Sequence, residues 1–233
     1  MSFTHGRSTS VLYNSSDLSA YFSSADSAQT AETAETTTFG NSAKTYIVGL
    51  RDGTVSLSGL WDGAASAVDS VLAATLGSTG KPVTIGQAGL VAGNRCQLMV
   101  SHETSYGVTA AVADVVQVSA DLQADGGLWS GVYLRTVSAE TISTNGSSID
   151  NAASSANGLR AKLHVTAGAG SATIKVQHSS DGSTWVDLIT FTAATGATSE
   201  NKTVSGTVNR YLRATSTISG GSPSFSYTVS VAR

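Results

Sequence analysis

The chain has 233 residues, a formal net charge of −3 and only 12% charged residues, against about 25% in an average soluble domain. So weakly charged a surface is expected to be covered in part by further copies of the chain, because surfaces that face water usually carry more charge. The single cysteine, Cys96, excludes an internal disulfide, and no run approaches the roughly 18 consecutive apolar residues of a membrane span.

The charges are distributed unevenly along the chain. Six Lys/Arg face eleven Asp/Glu through Ser138, whereas seven Lys/Arg face five Asp/Glu from Ala139 onward. The acidic first part is not expected to bind nucleic acid, because phosphate contacts need a Lys/Arg surface. The first ten residues, MSFTHGRSTS, contain no apolar run, so we expect no secretory signal and synthesis in a cytoplasm.

The first strand candidate runs from Thr9 to Tyr13, and a long loop is expected at 23–45. Glu and Thr are dense in this segment, and no apolar stripe with helical spacing runs through it. A loop of this length inside a compact domain is usually functional or disordered. Residues 54–61 then alternate apolar and polar side chains, which predicts a strand with one buried face.

A single helix is predicted at 64–76, where the apolar residues fall on one stripe. Asp62 precedes it in a capping position, and Gly77 follows it where a left-handed residue is easiest to place. The stripe contains no basic residue, so the helix is expected to cover a sheet rather than to bind a membrane or nucleic acid.

Two alternating segments, 95–103 and 112–125, predict strands with one apolar and one polar face. Gly126-Gly127 predicts a tight hairpin turn, after which the chain returns along 128–137. Residues 1–138 are therefore predicted to form the first domain, an α+β sandwich or open barrel with one helix.

Turn residues dominate from Thr141 to Gly158, which indicates a boundary or the first hairpin of a second unit. Short alternating strands follow at regular spacing, so residues 139–233 are predicted to form an all-β sandwich of Ig-like or jelly-roll type. The sequence leaves both topologies open. The fold class of the whole chain is predicted to be mainly β.

No motif for catalysis is present. The four histidines have no His or Cys partner at metal-ligand spacing, and His164 and His178 are expected at the surface. The chain has no phosphate-binding loop and no nucleophile elbow. Asp121 and Asp125 have the spacing of an acid–base pair, but a polar sheet face is the simpler interpretation. We expect no enzyme activity, no cofactor and no metal site.

Three sequence stretches resemble a known family. Residues 33–40 read TAETTTFG, residues 44–50 read KTYIVGL, and residues 51–59 read RDGTVSLSG. In this order they are similar to the major tail proteins, or tail tube proteins, of bacteriophages with long, non-contractile tails (siphophages). The resemblance extends over essentially the whole chain and includes a C-terminal β-domain, as in family members that carry an Ig-like outer domain. Val48-Gly49 stands where many relatives have Pro-Gly.

The resemblance implies a structural virion protein made in the host cytoplasm. Such subunits form hexameric rings that stack head to tail around a channel for DNA delivery. The implied partners are further copies of the chain, a tape-measure protein and other tail proteins, with DNA passing through without specific binding. Separately from the resemblance, weak contact with a cell surface through the C-terminal domain is a further expected interaction.

Two sets of residues are predicted to serve the tube. The long loop is expected to reach a neighbouring subunit and to bury Phe39 only in the assembly. A polar strand face is expected to line the channel, with Glu103 as a further candidate. The loop set is Glu32, Glu35, Phe39, Gly40, Lys44 and Tyr46, and the channel set is Gln117, Ser119, Asp121, Gln123 and Asp125.

The alternative function is a carbohydrate-binding or adhesive surface module of a phage or bacterium. It would place sugar-stacking aromatic residues on the second sandwich, where Trp185, Tyr211 and Tyr227 occur. The mass in solution separates the two, because such a module forms a small oligomer whereas a tube subunit forms rings or filaments.

Overall fold

The computed structural model describes residues 3–233 and confirms a mainly β fold. Over these residues it contains thirteen strands, one short α-helix and one 3-10 turn at Gly6–Ser8. The elements are β1 Ser10–Tyr13, β2 Ser16–Asp17, β3 Phe22–Glu35, β4 Tyr46–Leu60, α1 Val68–Leu72, β5 Lys81–Gly86, β6 Arg95–Thr109, β7 Gln117–Glu140, β8 Thr144–Asn145, β9 Ile149–Asp150, β10 Leu159–Ser179, β11 Val186–Thr190, β12 Thr198–Val204 and β13 Tyr211–Ala232.

Strand β7 connects the two halves of the molecule. Its residues 117–123 pair with β4 on one side, and its residues 117–132 pair with β6 on the other. Its residues 132–140 pair with β13. All of these pairings are antiparallel, and they give the strand order β3-β4-β7-β6-β5-β1-β2 in the first half. One continuous backbone therefore sets the register of both halves.

Gly131 permits the close approach of β7 and β13. A Cβ atom at this position would lie 2.1 Å from the carbonyl oxygen of Val231 and 2.6 Å from a methyl group of Leu98. Real Cβ atoms do not tolerate such distances, so the crossing needs a residue without a side chain.

The segment predicted as a loop at 23–45 is mostly strand, so that prediction was wrong. Residues 22–35 form β3, which pairs with β4, and only 36–45 connect the two strands. The amide of Thr36 donates to the carbonyl of Thr45 at 2.8 Å and closes the connection. Backbone pairing holds β3 in place, and most of its side chains face solvent, so no hydrophobic period marks it in the sequence.

The helix is shorter than the predicted 64–76. Regular α-helix covers only Val68–Leu72, because Ser66 has a positive φ of 64° and Ala67 is extended. The predicted stripe is nevertheless real, since Val68 and Leu72 are fully buried over the sheet. Asp62 accepts a hydrogen bond from the amide of Ala64 at 2.9 Å, ahead of the turn that leads into the helix.

Two large apolar clusters fill the halves. The first lies under α1 between β1, β4, β5, β6 and β7, and the second lies among β10, β11 and β13. We retain the division into 1–138 and 139–233 as a proposal, although its boundary lies inside β7. A small third cluster joins the halves and consists of Leu12, Cys96, Leu98, Tyr133 and Ala232.

A buried polar network also joins the halves, and its centre is His164, which is 0% exposed. The expected surface position of His164 was therefore wrong. Its Nδ1 lies 2.6 Å from the carbonyl oxygen of Asn14 and its Nε2 lies 2.9 Å from the hydroxyl of Thr84. Because a carbonyl only accepts, Nδ1 carries the proton and Nε2 accepts from Thr84. Alternation along β10 turns Ala161, Leu163 and Val165 into the core and His164 toward the first half.

Burial lowers the pKa of His164 to about 4, so its imidazole is neutral in the fold. The unfolded histidine takes up a proton below about pH 6.5. Stability from this group is therefore complete above pH 6.5 and falls as the pH drops toward 4, by about 3 kcal/mol in total. Denaturant unfolding between pH 4 and pH 7 should show this slope.

The control is His164→Gln, which cannot be protonated. Its free energy of unfolding is expected to lose this part of the pH dependence, whatever its absolute stability. An identical slope in both proteins would show that His164 does not carry the effect.

Candidate functional site

A two-stranded ribbon projects from the sheet. Residues 46–53 of β4 pair with β3 alone, because the pairing of β4 with β7 begins only at Thr54. Every residue from 28 to 52 is exposed. We call residues 28–52 the projecting hairpin. An isolated two-stranded ribbon is at best marginally stable in water, and this one depends on its continuation into the sheet.

The projecting hairpin carries large apolar side chains that are mostly exposed. Phe39 at its tip is fully exposed, and Ile47, Val48 and Leu50 are 59%, 71% and 76% exposed. Contiguous exposed apolar residues usually mark an interaction site. The hairpin therefore has the composition of an association surface.

All six residues of the predicted loop set lie on the projecting hairpin. Glu35 and Lys44 form an ion pair at 3.3 Å beside the tip, and Tyr46 pairs with Glu35 across the ribbon. An exposed ion pair of this kind contributes little to stability. Glu32 and Gly40 are also exposed. Their role between subunits stays a prediction.

The sequence analysis did not include Ile47, Val48 and Leu50 in the predicted site. Consecutive apolar residues in a strand place apolar side chains on both of its faces, which is typical of a strand that is buried on both sides. The run Tyr46-Ile47-Val48 carries that signal, and it indicates either a central strand or a strand completed by another chain.

The predicted channel set lies on one exposed face of the sheet. Asp121 is at its centre and accepts hydrogen bonds from the hydroxyls of Ser56 and Ser105, both at 2.7 Å. These bonds, from Ser56 first, lower the pKa of Asp121, so the carboxylate is ionised at neutral pH. Gln123 donates to Asp52 at 2.5 Å, and His102 lies 3.7 Å from Asp125.

The face is acidic beyond the predicted residues. Asp26 and Ser56 are directly opposite in the ladder, as are Ser56 and Asp121, so the two carboxylates share one face. Asp52 joins them through Gln123. We call this surface, with Asp26, Asp52, Asp121 and Asp125, the acidic face.

Glu103 does not belong to the acidic face, so its placement in the channel was wrong. It alternates with His102 on β6 and points into the core, where it is 3% exposed. It accepts hydrogen bonds from Thr75 at 2.6 Å and Tyr13 at 3.3 Å. Burial raises its pKa. Its contacts are those of a structural group.

Between residues 3 and 233, no group of three or more His, Cys, Asp or Glu is placed to hold a metal ion. No helix in the same range is long and apolar enough to cross a membrane.

The aromatic residues suggested for sugar binding do not form a platform. Tyr227 is 1% exposed. The guanidinium of Arg213 lies 4.2 Å from the ring centre of Trp185, and that of Arg210 lies 4.9 Å from the ring centre of Tyr211. A sugar would have to displace these cations from the ring faces before it could stack.

The comparisons with known proteins assign no family. No family model and no curated protein matches the chain. A chain of the virion of a native gene transfer agent (GTA) particle is 14% identical, with a TM-score of 0.43, over 54% of this chain and 97% of that one. A chain of the tail of an empty GTA particle with C6 symmetry is 13% identical, with a TM-score of 0.42, over the same shares.

The SPP1 Dit (gp 19.1) protein, described as a hub adsorption apparatus of phages that infect Gram-positive bacteria, is similar over a longer stretch. It is 15% identical over 96% of this chain and 98% of that one, with a TM-score of 0.36. Scores and identities at this level assign neither the family nor the function of the present chain.

The projecting hairpin is expected to be the least protected ordered part of the isolated chain, because its backbone hydrogen bonds are exposed and no core covers them. Amides at 28–35 and 46–52 should exchange with deuterium much faster than amides at 54–60 of the same strand β4. Mass spectrometry of peptides from the monomer measures both. Equal protection along β4 would contradict this expectation.

Proposed function

We propose that the chain is a structural subunit of a phage tail that polymerises into stacked, hexameric rings and forms a tube for DNA. The observation that carries the proposal is the projecting hairpin, a ribbon whose apolar side chains are exposed over its whole length. The low charge content and the sequence resemblance to tail tube proteins support it.

Two open sheet edges support ring formation. Strand β3 pairs only with β4, and β6 beyond Glu103 pairs only with β7, so the four-stranded unit β3-β4-β7-β6 ends in unpaired strand edges on both sides. Such edges tend to pair with another chain. Pairing of β3 in one copy with β6 in the next would satisfy both edges, and a closed ring leaves none exposed.

The acidic face is proposed to line the channel. Repeated around a ring, Asp121 and Asp125 would form bands of negative charge that repel phosphates, so that DNA slides without binding. Asp26 and Asp52 on the same face would strengthen the bands. The tape-measure protein is the proposed occupant of the channel before DNA passes.

The second half is proposed to lie on the outside of the tube. Its apolar cluster, which lies mainly among β10, β11 and β13 and includes Leu134 of β7, supports a second unit. A role in sugar recognition has no support from Trp185, Tyr211 or Tyr227, because their ring faces are buried or covered by arginine. The proposal therefore does not extend to cell-surface binding.

The variant Phe39→Ala tests the role of the hairpin. Phe39 packs on nothing in the isolated chain, so the free energy of unfolding should change by less than about 0.5 kcal/mol. Polymerisation should be lost or strongly reduced, because Phe39 is buried only between copies. The matched control is Phe3→Ala, which removes an equally large side chain that is 89% exposed elsewhere. Electron microscopy and sedimentation measure assembly, and normal tubes from Phe39→Ala would refute the proposed role.

The double variant Asp121→Lys, Asp125→Lys tests the channel. Assembled tubes of the variant should retain short duplex DNA at low salt and release it as salt rises, because screening shortens the electrostatic range to about 10 Å at 0.1 M. Wild-type tubes should retain none. Asp150→Lys, Asp187→Lys makes the same change of charge in the second half and serves as control. Equal DNA retention by both variants would place Asp121 and Asp125 outside the channel.

A further inference from the structure

A basic cleft lies between the base of the projecting hairpin and the second half of the molecule. Its volume is about 560 Å³. The first half contributes Gln29, Arg51 and Trp129 to its walls, and the second half contributes Asn157, Arg160 and Arg233. None of its lining residues is acidic, although the whole chain has a net charge of −3. We call this surface the arginine cleft.

Strand alternation places one arginine from each half in the cleft. On β4, Arg51 shares a face with the core residue Val55 and points away from the acidic face that holds Asp52. On β10, Arg160 precedes the buried Ala161 and therefore points toward the first half. The two guanidinium groups thus reach the same cleft from opposite sides of the junction.

The indole ring of Trp129 positions both guanidinium groups. The guanidinium carbon of Arg160 lies over the ring, 3.6 Å from its centre, and that of Arg51 lies 5.6 Å from the same centre. Cations are attracted to the face of an indole ring at these distances. The indole N–H donates to the carbonyl of Gly126 at 2.9 Å and so fixes the ring. Because both arginines contact one ring, their guanidinium groups are close enough to bind one ligand.

Neither guanidinium has a protein partner among residues 3–233. The ion pairs in this range do not include Arg51 or Arg160. The guanidinium hydrogen bonds in the same range belong to Arg135, Arg210, Arg213 and Arg233. Two positive charges held side by side without a counter-charge repel each other, so an anion between them is bound favourably.

We propose that the arginine cleft binds a phosphate group, either free phosphate or a small phosphate monoester, between Arg51 and Arg160. A phosphate monoester carries about −1.5 to −2 charges at pH 7 and three strong acceptor oxygens. These match two positive charges and two unused N–H forks. A carboxylate carries a single negative charge and would leave one guanidinium uncompensated. The inference goes beyond the proposed tube and concerns the unassembled chain.

Duplex DNA is the competing source of phosphate. Each of its phosphates carries only one negative charge. The acidic face also lies on the other side of β4, where Asp52 follows Arg51 in the chain, and it repels a long polyanion. The arginine cleft is therefore expected to prefer a small dianion to duplex DNA.

A bound phosphate would connect the base of the projecting hairpin to the second half, because Arg51 and Arg160 belong to different halves. A ligand that binds only the folded chain stabilises it. Phosphate should therefore raise the midpoint temperature of unfolding of the full chain more than sodium chloride does at the same ionic strength. An equal effect of the two salts would contradict specific binding.

Titration calorimetry of the full chain at constant ionic strength tests the site. Sodium phosphate should bind to the wild type, and Arg51→Gln and Arg160→Gln should each weaken binding by about tenfold or more, because charge-assisted hydrogen bonds are lost. Arg51 is exposed, so Arg51→Gln should fold. The matched control is Arg213→Gln, which removes the same charge and a guanidinium 4.2 Å from the ring centre of Trp185. It should bind phosphate like the wild type.

The outcomes separate the possible ligands. No binding of phosphate to the wild type, or equal binding by the wild type and Arg51→Gln, would overturn the inference. Equal binding of acetate, or tighter binding of a short DNA duplex, would overturn the assignment to a phosphate dianion. Glycerol phosphate presents the same dianion as an ester and should compete with inorganic phosphate. Tighter binding of glycerol phosphate supports an esterified ligand, and weaker binding supports free phosphate.

Tryptophan fluorescence locates the bound anion. Phosphate should change the emission of the wild type, because Trp129 contacts both arginines. The change should be absent from Trp129→Phe and retained in Trp185→Phe. An unaltered response in Trp129→Phe would place the phosphate outside the arginine cleft.

Discussion

The structure depends on the hydrogen-bond register of one strand, β7. Its residues lie between β4 and β6 in the first half and pair with β13 in the second. A slip of one residue would turn Val118, Ala120 and Leu122 out of the core and bring Asp121 in, so the register is strongly specified by burial. Gly131 lets the two halves share this strand, because no side chain fits against the carbonyl of Val231. The acidic face is therefore a consequence of the same register that builds the core.

The extent of burial differs strongly between parts of the molecule. The core side of the sheet and the junction with His164 are buried, whereas the projecting hairpin leaves apolar side chains in water. In a protein that acts as a monomer, such exposure favours aggregation. In a subunit that stacks, the same side chains become the contacts, and weak local order in the free chain lets them adapt to the neighbour.

The junction between the halves consists of a buried hydrogen-bond network around His164 and a small apolar cluster. His164 connects the turn after β1 to β5 and, through Thr84, to Ser230 on β13, with each hydrogen bond requiring one relative position of the strands. Buried polar groups of this kind contribute modestly to stability but disfavour alternative packings, since an unpaired partner in the core is costly.

The sequence by itself determined the mainly β class, the apolar stripe of the helix and the alternation that puts Asp121 on a polar face, because period-two and helical patterns record burial directly. It also singled out Phe39 and its neighbours. Tertiary structure alone decided that 23–35 is a strand, since backbone pairing with β4 and not a hydrophobic pattern holds it. The tertiary structure also decided that His164 is buried. Alternation within β10 shows that His164 lies on the polar face of the strand, but it does not show whether that face contacts water or the other half of the protein.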